Sequence, residues 1–329
     1  MPQFEVTVVG ELNLDLILYG LPDELEPERE LLADGLSLTL GSSSAIFAHN
    51  LSVLGGRVGF ISRIGEDPLG QIAVERLAAG GVDVSKVRRI PGRTSTGLTV
   101  ILPRTHFRNI LTYPGTMNEM CYEDLDLDYL ASARHFHLSS FFLHRALWPR
   151  ITELFRRIKS KGLTISLDTN DDPADQWEGE LHSILRYVDV FLPNEREAKK
   201  VARVDDLETA IGRLAQWVPM VAVKLGPDGA LVQRGKERFT APAIPVEAVD
   251  PVGAGDSFDA GFIHQYVRGA DVPTCLAYGN LAGAFSTTRP GGTEAFRDRR
   301  RLEEFLQQRA PAGKISPAAA KPESAKAES

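Results

Sequence analysis

The stretch Val249-Asp250-Pro251-Val252-Gly253-Ala254-Gly255-Asp256-Ser257-Phe258 decides how the chain is read. Upstream, Ile244, Val246 and Ala248 recur at period two, the spacing of a strand. Downstream, Phe258, Phe262, Ile263, Tyr266 and Val267 recur at helical spacing, and Gly269 marks a stop. The segment reads as strand, glycine-rich turn and helix, with Asp256 in the first helical turn. Such a turn presents backbone N–H groups at the positive end of a helix, where they hold phosphate. An ionised acid inside that cradle repels the ligand the cradle attracts. The conflict resolves if Asp256 takes a proton from an attacking hydroxyl while the amides of Gly253, Ala254, Gly255 and Asp256 hold the phosphoryl group in flight. A plainer reading competes, because Asp is a good helix cap and Gly-x-Gly can be a tight turn. A dinucleotide fingerprint fails on Phe258, which stands where its last glycine belongs, and a P-loop fails for want of Gly-Lys-Ser/Thr.

Asp250-Pro251-Val252-Gly253-Ala254-Gly255-Asp256 resembles the C-terminal signature of the ribokinase-like (PfkB) carbohydrate kinases, Asp-Thr-x-Gly-Ala-Gly-Asp, with Pro251 in place of Thr. The resemblance implies an ATP-dependent enzyme that phosphorylates a primary hydroxyl of a sugar or sugar derivative. A nucleoside kinase, or a non-catalytic sensor of sugar or nucleotide on the same scaffold, are the alternatives it leaves open.

Glu11 to Leu18 alternates polar and apolar, so Asn13 and Asp15 share one strand face. The family's Asn-x-Asp binds sugar hydroxyls, a role the resemblance carries to Asn13 and Asp15. Gly41-Ser42-Ser43-Ser44 opens a helix that ends at Gly55-Gly56. It resembles the family's Gly-Gly-x-x-x-Asn turn, which implies sugar contacts at Gly41, Ser42 and Ser43. Ser42 replaces the second glycine, and Ile46 stands where Asn is usual and offers no hydrogen bond.

Thr94–Leu102 and Phe107–Tyr113 read as paired strands around Pro103-Arg104-Thr105-His106, and with residues 14–40 they would form a small β lid that excludes water. Arg108 in this lid is a candidate substrate contact, and in the family such lids pair between subunits, which implies a homodimer. His135 and His137 read as strand-face residues, since no third metal ligand is near in sequence. Asp168-Thr169-Asn170 ends a buried strand, where ligands of α/β proteins gather.

Asn194-Glu195-Arg196-Glu197 is nearly a capping box. It also resembles the family's Asn-x-x-Glu, which implies that Asn194 and Glu197 place Mg²⁺ through water, an ion that needs few carboxylates. Lys224, Gly226 and Gly229 match the family segment bordering the nucleotide phosphates, and Asn280 the position beside adenine. The resemblance also implies a K⁺ site between Asp250 and the carbonyls of the Arg289–Gly292 loop.

Alternating strands and helices of 10–15 residues imply a three-layer α/β sandwich around a mostly parallel sheet. Residues 1–309 form one kinase domain in this reading, and the Ala-, Pro-, Lys-, Ser- and Glu-rich segment 310–329 a disordered tail. A net charge of −7 argues against nucleic acid or an anionic membrane as partner. Two distant cysteines, Cys121 and Cys275, support neither a disulfide framework nor a thiolate zinc site. With no leader and no apolar run of roughly 20 residues, the expected location is the cytoplasm.

Overall fold

A computed structural model describes residues 2–92, 94–104 and 108–309. The tip expected at Thr105-His106, together with Phe107, and the tail from 310 lie outside the described residues. In chain order the strands are β1 (Val6–Val9), β2 (Leu14–Tyr19), β3 (Gly35–Leu40), β4 (Val58–Gly65), β5 (Asp83–Ile90), β6 (Leu98–Pro103), β7 (Arg108–Tyr113), β8 (His135–Leu138), β9 (Thr164–Leu167), β10 (Val190–Phe191), β11 (Met220–Lys224), β12 (Ala230–Arg234) and β13 (Glu237–Ala241). The α-helices are α1 (Ser43–Val53), α2 (Pro68–Ala79), α3 (Leu127–Ala131), α4 (Trp148–Ser160), α5 (Leu181–Leu185), α6 (Glu195–Ala202), α7 (Leu207–Trp217), α8 (Ala254–Tyr266), α9 (Val272–Ser286) and α10 (Arg299–Arg309).

Among the described residues the main sheet runs β13-β12-β11-β10-β9-β8-β1-β4-β5. Every pair from β11 to β5 is parallel, and β12 and β13 add antiparallel strands at one edge. Burial on both faces explains the apolar strands. Val6 and Val8 of β1 pack with Phe47 of α1 and Phe262 of α8, whereas Val9 packs with Phe155 of α4 and Ile211 of α7. One strand thus feeds two cores, and the three-layer arrangement follows from the period-two alternation.

The chain leaves β1 for β4 on one side and returns through β8 on the other. That makes β1 the topological switch point, and its carboxyl end the place where a cleft forms. The second sheet, β3-β2-β6-β7, lies over that end. Its strand β6 begins at Leu98, not Thr94, because Asp67 caps α2 and also accepts the amide of Thr96 at 2.7 Å. The strand expected at Ile244–Ala248 is absent, and residues 242–248 are irregular. Pro242 and Pro245 lack the N–H that a ladder needs, while Ile244 and Val246 still pack beside Phe285. No helix among the described residues is long and apolar enough to cross a membrane.

Candidate active site

The carboxyl ends of β1, β8, β9, β10 and β11 deliver Glu11, Ser140, Asp168, Asn194 and Lys224 to one cavity of about 610 Å³. The first turn of α8 closes one side and β6 and β7 of the lid another. A second cavity of about 590 Å³ adjoins it, sharing Lys224, Gly226, Pro251 and Gly255.

The shared edge is the Gly253–Asp256 turn. Gly253 caps α8 at φ 73°, and a Cβ there would lie 2.5 Å from the Cα of Gly292, so both its conformation and its neighbour demand glycine. No side chain caps this helix. The amide of Ala254 donates to Pro251 O at 3.2 Å, which takes it out of the expected set of four. Those of Gly255 and Asp256 have no backbone acceptor among the described residues. Asp256 lines the cavity from the start of α8, and Asp15 lines it from lid strand β2. Burial, then the nearby Asp168, pushes the Asp256 carboxyl up to about 6, against the pull of Lys224 and a hydrogen bond with Ser43. Burial, then the charge of Asp256, pushes Asp15 up to about 7.

Asn194 and Glu197 form a complete capping box. Glu197 N donates to Asn194 Oδ1 at 2.9 Å, and Asn194 N donates to Glu197 Oε2 at 2.8 Å. Burial and then Asp168 raise the Glu197 carboxyl to about 8. No three-acid metal cluster exists among the described residues. One buried carboxylate crowded by others suits Mg²⁺ held through water and phosphate better than an all-protein cage. Lys224 does not reach freely into the cavity. Its ammonium lies 2.6 Å from Asp168 and 3.3 Å from Asp259, beneath Gly255, and these carboxylates raise its pKa against burial. Gly226 and Gly229 line the second cavity with Asn280. The Asn280 amide donates to the carbonyls of Ala241 and Pro242, leaving only its oxygen for a ligand. Asp250 ties the turn to the following loop, accepting from Val252 N and Gly291 N at 2.9 Å each.

Asn13 and Asp15 are both buried at the lid hinge. Asn13 Nδ2 donates to Thr99 at 3.4 Å, and its Oδ1 has no partner. Gly41 packs directly on Asp15, where a Cβ would fall 2.1 Å from Oδ1. Ser42 is spent on structure, since its hydroxyl accepts from Ala45 N and donates to Glu11 O at 2.6 Å. Ser43 and Arg108 line the cavity, Arg108 from the exposed lid strand. Ile46 lines it too and packs on Gly253 and Gly292.

Several lining residues escaped the sequence reading of the site. Glu11, Ser140 and Leu143 carried no motif. Asp168 and Asn170 stood at a recognised strand end, but nothing in sequence showed Asp168 meeting Lys224. The one further signal was that Glu11 shares the period-two face of Asn13 and Asp15.

The chain matches the pfkB family carbohydrate kinase model over residues 3–299. It is 31% identical to an ATP-dependent ribose-1-phosphate kinase of Halopiger xanaduensis, over 88% of this chain and 94% of that one. It is 28% identical to a cytidine kinase of Thermococcus kodakarensis, over 84% and 93%. A ribokinase-II-type protein from E. coli, crystallised with ATP and Mg²⁺, superposes with a TM-score of 0.80 at 28% identity, over 93% of this chain and 99% of that one. With the family model covering nearly its whole described length and kinases among its relatives, the chain belongs to the pfkB family of carbohydrate kinases, phosphotransferases with an alcohol group as acceptor.

Proposed function

We propose that the enzyme transfers the γ-phosphoryl group of ATP to a primary hydroxyl of a sugar or sugar derivative bound between the lid and α8. The observation that carries this reading is that Asp256, at an uncapped helix start, shares one cavity with Asp15 and with the unpartnered Oδ1 of Asn13. An orphaned buried acceptor is costly unless a ligand donates to it, and a sugar hydroxyl does so. Asp15 and Asn13 hold the acceptor, with Arg108 at the rim. The acceptor hydroxyl loses its proton to Asp256 as its oxygen bonds to phosphorus. The bond from phosphorus to the β–γ bridging oxygen breaks, ADP leaves, and Asp256 returns the proton to solvent. The amides of Gly255 and Asp256, with the rest of the Gly253–Asp256 turn, stabilise the charge on the phosphoryl oxygens.

Adenine occupies the second, more apolar cavity, with Asn280 O at its edge and Gly226 and Gly229 along the phosphates. Asn194 and Glu197 are the residues that would hold Mg²⁺, and the ion would neutralise phosphate charge. Asp250 and the Arg289–Gly292 loop would hold a K⁺ ion, which would add positive charge behind the turn. The lid exposes Leu36 (65%), Leu111 (57%) and Tyr113 (52%), an apolar face that a second copy of this chain covers in a homodimer.

One feature favours a second reading, a nucleoside kinase. Ile46, Ile101, Ile110, Met117 and Leu143 give the acceptor cavity an apolar wall that a base would cover. ADP release with Mg²⁺ and ATP, measured over D-ribose, D-fructose, D-gluconate and cytidine, separates the two. Turnover with a sugar supports the first reading, and turnover with cytidine alone selects the second. ATP binding without acceptor-dependent ADP release rejects both.

A further inference from the structure

Glu11 follows β1 and is wholly buried beneath the acceptor cavity. Four donors converge on its carboxylate. Ser140 Oγ (2.8 Å) and Ser44 N (3.4 Å) donate to Oε1, while Ser44 Oγ (2.8 Å) donates to Oε2 and His144 Nε2 lies 3.0 Å from Oε2. A carboxylate accepts about four hydrogen bonds. This one is filled, with no lone pair left for a substrate hydroxyl, so any influence of Glu11 on the acceptor runs through its partners.

One of those donors, Ser140, shares an unusual property with Ser42, which bonds the Glu11 carbonyl, and with Asn170, which bonds Ser140. Ser42, Ser140 and Asn170 all line the cavity, and all hold positive φ (69°, 52° and 52°) without being glycine. Side chains rarely adopt that region, and they stay there only where the surroundings over-determine them. Ser42 donates to the Glu11 carbonyl, Ser140 to its carboxylate, and Ser140 N to Asn170 Oδ1 at 2.9 Å. The three residues belong to the turn before α1, the loop after β8 and the loop after β9. Glu11 bonds Ser42 through its carbonyl and Ser140 through its carboxylate, and reaches Asn170 through Ser140. Burial raises its carboxyl, but the His144 and serine contacts outweigh burial and the net shift is downward. None of its hydrogen bonds reaches the Gly253–Asp256 turn.

We propose that Glu11, backed by His144, is a positioning residue for the acceptor: it locks Ser42, Ser140 and Asn170 in their left-handed conformations and so shapes the acceptor half of the cleft without touching substrate. The proposal rests on the kinase reading for the identity of that half, but its first test does not need turnover.

In Glu11→Gln an acceptor oxygen becomes a donor, and two of the four contacts to the side chain lose their partner. Hydrogen exchange on the full-length, ligand-free protein is expected to quicken by about tenfold or more at residues 42–44, 139–144 and 168–171, and to stay unchanged at 194–197 and 253–256. With whichever of D-ribose, D-fructose, D-gluconate or cytidine the wild type turns over fastest, the acceptor KM is expected to rise about tenfold or more, with the ATP KM within about twofold. His144→Gln, which still donates, should stay near wild type in both readouts while His144→Leu follows Glu11→Gln. That pair decides the matter even if Glu11→Gln fails to fold. Unchanged exchange in the three loops, an equal rise in both KM values, or equivalence of the two His144 variants would overturn the proposal. Absence of turnover in the wild type rejects the kinase reading alone, because the exchange comparison still rules on Glu11.

Discussion

The two halves of the cleft are made of different material. The half proposed for phosphate is four consecutive residues, Gly253 to Asp256, at an uncapped helix start, where the amides of Gly255 and Asp256 lack a backbone acceptor among the described residues. The half proposed for the acceptor is lined by side chains from β1, β2, the α1 turn, the loops after β8 and β9, and the lid. Substitution cannot delete a backbone amide, only move it, so the first half is robust to everything except changes of conformation or of Asp256 itself. The second half fails one side chain at a time. The sharpest way to break this contrast is Asp256→Asn, which removes the one side chain on which the phosphate half depends. It should keep the fold and ATP binding and lower kcat by about 10³-fold, the usual loss for a general base. Thermal stabilisation by ATP together with steady-state rates would measure both. A variant within tenfold of wild-type turnover would mean that another group takes the proton.

Lys224 lies between the halves and tests whether they are independent. Its ammonium holds Asp168, at the end of β9, against Asp259, one turn beyond Asp256 on α8. Asp168 and Asp259 are each 1% exposed. Removing the cation leaves two buried carboxyl groups facing each other without a counter-charge, so Lys224→Met should cost about 3 kcal/mol in denaturant unfolding. The Asp259 carboxyl is held well above its ordinary range by burial, so it can shed its charge by taking a proton, which caps the loss. Adding Asp259→Asn to Lys224→Met should then recover part of the stability, a coupling that a double-mutant cycle reads directly. Additive effects would show that the two residues do not act on each other.

The same contrast explains what the sequence disclosed. Strand and helix alternation announced the layers because core strands such as β1 are apolar on both faces, as Val6, Val8 and Val9 are. The glycine-rich turn at the start of α8 was legible because its residues are contiguous and Gly253 has a conformational reason. Asn13 and Asp15 were legible because period two places them on one face. Ser42 and Asn280 illustrate a limit: residue type and position pointed to the cleft, yet their polar groups serve the backbone. Glu11 marks a second limit. Its partners Ser140 and His144 lie 129 and 133 residues away, and neither stands in a recognisable motif. The strand expected at Ile244–Ala248 was lost to Pro242 and Pro245, whose missing donors outweigh an alternating apolar pattern.

The smallest effect concerns the acceptor half alone. The Asp15 carboxyl sits at about 7, raised by burial and by the charge of Asp256. In the unfolded chain it would ionise near the ordinary aspartate value, about 3.9. A group whose pKa rises on folding gives stability that is fully present below its unfolded value and lost as pH rises through its folded value. The buried His135 and His264, whose pKa values burial lowers to about 3, act in the opposite direction, so the wild-type profile by itself mixes both trends. Comparison with Asp15→Asn cancels the histidines. Asn imitates the protonated carboxyl at every pH, so the variant should gain on wild type as pH rises from 5 to 8, by about 2 kcal/mol. Denaturant unfolding of the ligand-free proteins at the two pH values measures the difference. A gap that stays constant would place the Asp15 carboxylate in ordinary contact with water, where the structure shows it buried.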